Sequence, residues 1–251
     1  MSVVTPISVS ELDFDHGTFD SAGFTAETLS NWQTLAGVLD HTLLDPEATR
    51  IQIELLCEET ARYRFACAIV NPIWVSTAVG LLAGTGIPVG AVIGFPLGAS
   101  LASTLRQEAA ALAKLGAREL DMVIPIGQLR SGNYPAVQHS IHAAVSTAHY
   151  HGAKLKAILE TALLSTEEKL RGAEIAIQAG ADFVSTSTGF STSGASVSDV
   201  ALMRGVAGGR CGVKALGGVR TLAYLRSLLE AGANRIGASG SVAIVREMGA
   251  V

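Results

Sequence analysis

From Val38 to the C-terminus, short apolar runs alternate with longer amphipathic stretches, and small polar or glycine-rich turns separate the two. The apolar runs are too short for buried helices and are rich in Val, Ile, Leu and Ala, so they read as buried parallel strands. Strands are predicted at 38–42, 66–70, 88–93, 119–124, 154–159, 183–185, 212–215 and 235–237. The stretches between them carry helix signals. Ser165-Thr-Glu-Glu168 is a capping box, and Gly116 is a C-terminal stop behind a helix at 101–115. Asp45-Pro46-Glu47 is a helix start that would carry Ile51, Ile53, Leu55 and Leu56 toward a core. Further helices are predicted at 133–151, 165–179, 197–206, 221–231 and 241–248, with one more ending at Leu82. One junction, a helix stop followed by a short turn and a strand start, recurs. It appears as Leu115-Gly-Ala-Arg-Glu-Leu, Ala179-Gly-Ala-Asp-Phe-Val and Ala231-Gly-Ala-Asn-Arg-Ile.

Eight strands alternating with helices, with no break in composition, predict a single (β/α)8 TIM barrel over 36–251. An N-terminal arm and helix at 1–35 precede it, the helix capped by Thr25 and running through Trp32. The alternative is an open doubly wound sheet. No Gly-x-Gly-x-x-Gly opens the first strand-to-helix turn, which argues against the dinucleotide-binding version of that fold.

Composition narrows the function classes. The chain is 49% hydrophobic and can bury a large core, while 16% of residues are charged and the net charge is -4. A general nucleic-acid binder would need a basic footprint that is missing here. No apolar run approaches the length of a membrane span. The acidic stretch 1–20 has neither a basic start nor an apolar segment, so no signal peptide is expected and a cytoplasmic location is. Cys57, Cys67 and Cys211 are few and far apart, as small buried side chains in a reducing compartment would be.

In a barrel of this type the site forms at the C-terminal ends of the strands. Ala181-Asp-Phe-Val-Ser-Thr-Ser-Thr-Gly-Phe190 begins as a buried strand and turns abruptly into the hydroxyls of Ser185, Thr186, Ser187 and Thr188 and then Gly189. Such an end can hold an anion through small side chains and free N–H groups; a merely Ser/Thr-rich loop would look the same. Asp121, Lys156 and Lys214 lie within otherwise apolar strands, where a charge is costly unless paired. A functional role is favoured for Asp121 and Lys214, which flank candidate anion loops, whereas Lys156 fits a structural ion-pair network nearly as well. Gly217-Gly-Val-Arg-Thr221 and Gly237-Ala-Ser-Gly-Ser241 follow the seventh and eighth strands, the usual place of a phosphate cup, with Ser239 and Ser241 as hydroxyl donors. His139 and His142 share a helix face that belongs on the outer ring, and His149 and His151 suit that helix's negative end. His41, at the end of the first strand, is a minor candidate for the site. No Cys/His cluster has metal-ligand spacing, and there is no Walker loop or nucleophile elbow.

Taken together, Leu39-Asp-His-Thr-Leu-Leu44, Val92-Ile-Gly-Phe-Pro-Leu-Gly98, Glu119-Leu-Asp-Met-Val123, Leu155-Lys-Ala-Ile-Leu-Glu-Thr161, the 181–190 decapeptide, Val213-Lys-Ala-Leu-Gly-Gly-Val-Arg-Thr221 and Arg235-Ile-Gly-Ala-Ser239 resemble the deoxyribose-phosphate aldolase family. The resemblance runs from about Leu39 to the C-terminus. It implies reversible cleavage of 2-deoxyribose 5-phosphate to acetaldehyde and glyceraldehyde 3-phosphate through a lysine imine. It also implies no metal or other cofactor, sugar-phosphate and aldehyde ligands, and a homodimer. The proton-relay carboxylate then matches Asp121 and the ammonium beside the imine lysine matches Lys214. Phosphate-binding groups match Gly189, Gly217, Gly218, Ser239 and Gly240, with Thr188 beside them.

The chain departs from the pattern at the decisive position. Ser185 stands where the family carries its imine-forming lysine, and Pro125 and Leu216 stand where an asparagine and a small residue are usual. A hydroxyl cannot form an imine, so the expectation is a low-activity or inactive aldolase. The alternatives are a sugar-phosphate-binding relative that cleaves nothing, or an altered carbon–carbon lyase using Lys214 or Lys156 as the amine.

Overall fold

The computed structural model describes residues 18–251. The chain opens with α1 (Ser21–Thr28) and α2 (Trp32–Ala36), followed by β1 (Leu39–Leu43), α3 (Arg50–Tyr63), β2 (Cys67–Val70), α4 (Val75–Leu81), β3 (Val89–Ile93) and α5 (Ala102–Lys114). It continues through β4 (Glu119–Val123), α6 (Ile126–Arg130), α7 (Tyr134–Tyr150), β5 (Lys154–Ile158), α8 (Thr166–Gln178), β6 (Phe183–Ser185) and α9 (Val197–Ala207). It ends with β7 (Gly212–Leu216), α10 (Leu222–Glu230), β8 (Arg235–Ala238) and α11 (Ser241–Glu247). Each strand pairs in parallel with the next, and β8 pairs with β1, so the sheet closes into an eight-stranded barrel. No helix among the described residues is long and apolar enough to cross a membrane.

Strand alternation divides the sheet into two faces. Ala68, Val70, Leu120, Met122, Val184 and Ile236 point outward and pack under the helices in the main apolar core. The inward positions differ in kind. Cys67, Ile69 and Val92 form a small apolar cluster with Leu44 on one side of the lumen, and six charged side chains from β1, β4, β5, β7 and β8 meet beside it.

Three local expectations are corrected, each for a physical reason. The helix expected from Thr25 through Trp32 is two helices. Asp20 accepts the Gly23 N–H at 2.9 Å to start α1, and Asn31 accepts the Thr34 N–H at 2.9 Å to start α2, so the second cap interrupts the run. The third helix begins at Arg50, because the Thr49 N–H donates to Gln52 Oε1 at 2.8 Å. Asp45-Pro46-Glu47 stays a turn, and Asp45 is left at the barrel mouth. On that helix Ile53 and Leu56 are buried, but Ile51 and Leu55 are 77% and 52% exposed, one turn apart on the opposite face. The short α6 had no counterpart in the predicted elements; it follows Pro125, which occupies its N-cap position.

The loop after β6 returns against the loop after β7 with two glycine backbones in contact. A Cβ built on Gly194 would lie 2.1 Å from the Gly217 carbonyl oxygen, and the Ala195 N–H bonds that same oxygen at 3.0 Å. Gly217 itself has φ +99°, in the region that favours glycine. Gly194→Ala should therefore force the two loops apart and destabilise the fold by roughly 1–3 kcal/mol. In scanning calorimetry that corresponds to a melting temperature lower by roughly 3–10 °C; an unchanged value would contradict the close approach.

Candidate active site

The barrel lumen holds a closed ion-pair network. Inward positions on β1, β4, β5, β7 and β8 supply Asp40, Glu119, Asp121, Lys156, Lys214 and Arg235. Lys214 Nζ sits 2.5 Å from Asp121 Oδ2 and 2.7 Å from Asp40 Oδ2. Lys156 Nζ lies 2.7 Å from Asp40 Oδ2, 2.5 Å from Glu119 Oε2 and 3.3 Å from Asp121 Oδ1. Arg235 closes the set, reaching Asp40 Oδ1 at 3.0 Å and Glu119 Oε1 at 3.1 Å. Three carboxylates thus face three cations, and the net charge of the buried set is zero.

Electrostatics follows from that count. Burial alone would raise the Asp40 carboxyl, yet Lys156, Lys214 and Arg235 together hold it well below its ordinary 3.8. Burial alone would lower the Lys156 amine, but Asp121, Asp40 and Glu119 push it well above its ordinary 10.5. Asp40, Cys67 and Glu119 bring donor atoms within 4.8 Å of one another, the one such grouping among the described residues. It does not suit a metal: the two carboxylates are already engaged by Lys156 and Arg235. The Cys67 thiol is pushed well up by burial first, and then by Glu119 and Asp40, so no thiolate is on offer.

Ser185 is the Cα partner of Lys214 across β6 and β7. It is fully buried, and its Oγ has no hydrogen-bond partner among the described residues. Asp121, Lys156, Ser185 and Lys214 are thus brought to one interior, each no more than 2% exposed.

Above this interior lies a pocket of about 310 Å³ at the barrel mouth. Its walls include Thr188, Gly189 and Phe190 after β6, Gly217, Gly218 and Arg220 after β7, Ser239 after β8, Thr42 near the end of β1 and Asp45 after it. Gly189, Gly217 and Gly218 have φ of +85°, +99° and +76°, which turn their backbone as few other residues could. Of the expected cup residues, Gly240 is not in the wall, and the Ser241 hydroxyl is spent on the Ala238 carbonyl at 2.9 Å. Thr188 lines the pocket, but its N–H and hydroxyl both bind Glu160 Oε2, at 3.1 and 2.5 Å.

The pocket and the charged interior do not merge. Leu216 lies two residues beyond Lys214 on the same inward face, lines the pocket and is 6% exposed. A Cβ built on Gly237 would meet Leu216 Cδ1 at 2.2 Å and Lys214 Cε at 3.1 Å. Leu216 is therefore the floor of the pocket and the roof over Lys214. Phe190 meets Phe95 edge-on at 5.4 Å, linking the β6 and β3 loops across the mouth.

The other candidates fall outside. His41 points to the helical layer, with Nε2 2.9 Å from Glu59 Oε2 and its ring on Phe65, because Asp40 and Thr42 take the inward positions on either side. His142 bonds Ser146 within α7 on the outer ring, and His149 pairs with Asp182 at 2.8 Å. Asp40, Glu119 and Arg235 were not singled out from the sequence. For Glu119 the signal was available, since it lies two residues before Asp121 on β4 and strand alternation puts both on one face. Asp40 and Arg235 lie on β1 and β8, and only the register of the closed barrel sets them beside the lysines.

The sequence matches the model of the DeoC/LacD aldolase family over residues 12–248. A deoxyribose-phosphate aldolase of Lysinibacillus sphaericus is 50% identical over 213 residues, covering 85% of this chain and 95% of that protein. One from Aciduliprofundum boonei is 49% identical over 214 residues, 85% of this chain and 96% of that one. The chain belongs to the DeoC/LacD aldolase family. Among solved structures, the tetrameric deoxyribose phosphate aldolase of Aeropyrum pernix superposes with a TM-score of 0.84 at 33% identity, over 91% of this chain and 96% of that one. Members of this family are aldolases, and the barrel is the fold of its deoxyribose-phosphate aldolase neighbours.

The network supports one stability prediction. Asp40→Asn leaves Lys156, Lys214 and Arg235 short of a buried carboxylate and should cost about 3–5 kcal/mol in urea unfolding. Because the native Asp40 pKa lies below the ordinary 3.8, the unfolded chain takes up that proton first on acidification. The Asp40 contribution is complete above about pH 4 and is lost as pH falls through the native value. The variant should show a shallower fall of stability below pH 4; an unchanged slope would refute the role given to Asp40.

Proposed function

We propose that the mouth pocket binds the phosphate of a deoxyribose 5-phosphate-type sugar or of glyceraldehyde 3-phosphate, and that this chain is a low-activity or inactive form of the aldolase. The observation that carries the second half is the absence of an available amine. At the position expected for the imine lysine there is only the Ser185 hydroxyl. The neighbouring Lys214 ammonium is paired with two carboxylates at 2.5 and 2.7 Å, and Lys156 is held charged by three. A protonated amine has no lone pair with which to attack a carbonyl.

The chemistry that is missing is an electron sink. When the carbon–carbon bond breaks, the electron pair must be drawn toward an iminium nitrogen, and Asp121 is the carboxylate best placed to move the associated proton. The rest of the apparatus supports a restored amine. Position 185 is buried, it faces Lys214, and the network holds no surplus negative charge. Burial and a neighbouring cation both lower an amine pKa.

Ser185→Lys should therefore raise deoxyribose 5-phosphate cleavage on the order of 10³–10⁶-fold over the unaltered chain, read by a coupled assay for glyceraldehyde 3-phosphate. Borohydride reduction with acetaldehyde should then label the new side chain, located by mass mapping. Robust cleavage by the unaltered chain, lost in Lys214→Ala, would assign the amine to Lys214 and overturn this reading. The phosphate assignment has a separate check. Gly218→Asp places a carboxylate in the glycine cup, where nothing else lies within 4 Å of a Cβ, and should abolish glyceraldehyde 3-phosphate binding in calorimetry without unfolding the barrel.

A further inference from the structure

We propose that Glu160 is a positioning residue: from the end of β5 its carboxylate grips Thr188 and sets the β6 loop in the shape that turns Gly189 to the anion pocket. The inference rests on the reading of that pocket as a phosphate site.

Backbone strain is the first observation. Glu160 has φ 56° and ψ 64°, in the left-handed region. Among the described non-glycine residues only Arg64 shares that conformation. Arg64 ends α3 as its C-cap, where a left-handed residue commonly stops a helix. Glu160 ends no helix; it stands between β5 and a short 3-10 turn at Thr161–Leu163. A glutamate gains nothing locally from this conformation, unlike glycine or asparagine. Contacts from elsewhere in the fold therefore hold it there, and such strain persists where the surroundings over-determine it.

The side chain shows what those contacts are for. Glu160 is 2% exposed. Its backbone is fastened to the β6 end on both sides: the Leu159 N–H donates to the Ser185 carbonyl and the Thr161 N–H to the Thr186 carbonyl, each at 2.9 Å. The side chain then runs along the β6 loop, where Oε2 accepts the Thr188 N–H at 3.1 Å and the Thr188 hydroxyl at 2.5 Å. The hydroxyl oxygen accepts the Phe190 N–H at 3.0 Å. One carboxylate oxygen thus fixes the residues on both sides of Gly189. The Gly189 backbone, at φ +85° with nothing within 4 Å of a Cβ position, is what the loop presents to the pocket. Glu160 is not itself a wall residue and acts on the ligand only through Thr188.

The test separates the carboxylate from the conformation. Glu160→Gly removes the side chain but suits the left-handed backbone. Binding of inorganic phosphate is measured by titration calorimetry on the full chain, beside thermal melting. Glu160→Gly is expected to melt at the same or a higher temperature yet bind phosphate at least about tenfold more weakly. Thr188→Val should lose binding to the same degree, and Thr188→Ser, which keeps both donors, should retain it within about twofold. If Glu160→Gly proves unstable, the Thr188 pair decides alone: loss in Val with retention in Ser supports the proposal, and equal affinities overturn it. Phosphate binding by the unaltered chain that survives in Glu160→Gly and Thr188→Val would leave the phosphate reading standing and sink this proposal. No phosphate binding by the unaltered chain would sink both.

Discussion

Charge balance inside the barrel is the constraint on which the rest depends. Asp40, Glu119 and Asp121 answer Lys156, Lys214 and Arg235 at contact distance, and every one of these groups is cut off from water or nearly so. An ion moved from water into such an interior costs several kcal/mol after relaxation, and only multiple short contacts recover it. The six side chains come from β1, β4, β5, β7 and β8, so the network holds only if the strands keep their register. A slip of one residue would turn every inward charge out against the apolar helices. The same balance decides the chemistry. All three carboxylates are committed to the three cations: Lys156 is held charged, and Lys214 is paired with Asp121 and Asp40. The interior is a well-built electrostatic frame around a position, Ser185, that holds no amine.

The mouth obeys different physics. There the groups are backbone N–H donors on glycine turns and a few hydroxyls, suited to a ligand that brings its own charge. Leu216 separates this pocket from the ionic floor, seated over Lys214 and Gly237. A small side chain thus stands at Ser185 and a large one at Leu216, on adjacent strands and successive layers. Phe190, at the pocket wall, meets Phe95 edge-on.

Much of the barrel was legible in the sequence. Apolar runs broken by helix caps and glycine stops place eight strands, and the predicted strand at 183–185 agrees with β6 to the residue. The Ser165 capping box predicted the start of α8, and Ser165 and Glu168 exchange hydrogen bonds at 2.7 and 3.3 Å. Local signals failed where two of them competed. Asp45-Pro46 offered one start for α3 and Thr49-Gln52 another, and the second prevailed. Thr25 offered a cap, but Asp20 and Asn31 split the segment differently. Ile51 and Leu55 looked like core by composition, and only the position of the neighbouring strands determined that Ile53 and Leu56 face inward.

The sequence by itself determined the alternating fold, the family, the charged strand positions and the serine at 185, because each is a property of residue type and spacing along one chain. Tertiary structure decided which charges meet. Lys214 and Asp121 are ninety-three residues apart, and Lys156 and Asp40 one hundred and sixteen; only closure of the barrel brings them within a hydrogen bond. It also decided that Thr188 is turned to Glu160 and that Ser241 is spent on a backbone carbonyl. Finally, it placed a leucine between the mouth pocket and the buried lysines. Those outcomes depend on which face of a strand looks inward and how far each side chain reaches across a lumen, and neither is written in the local pattern.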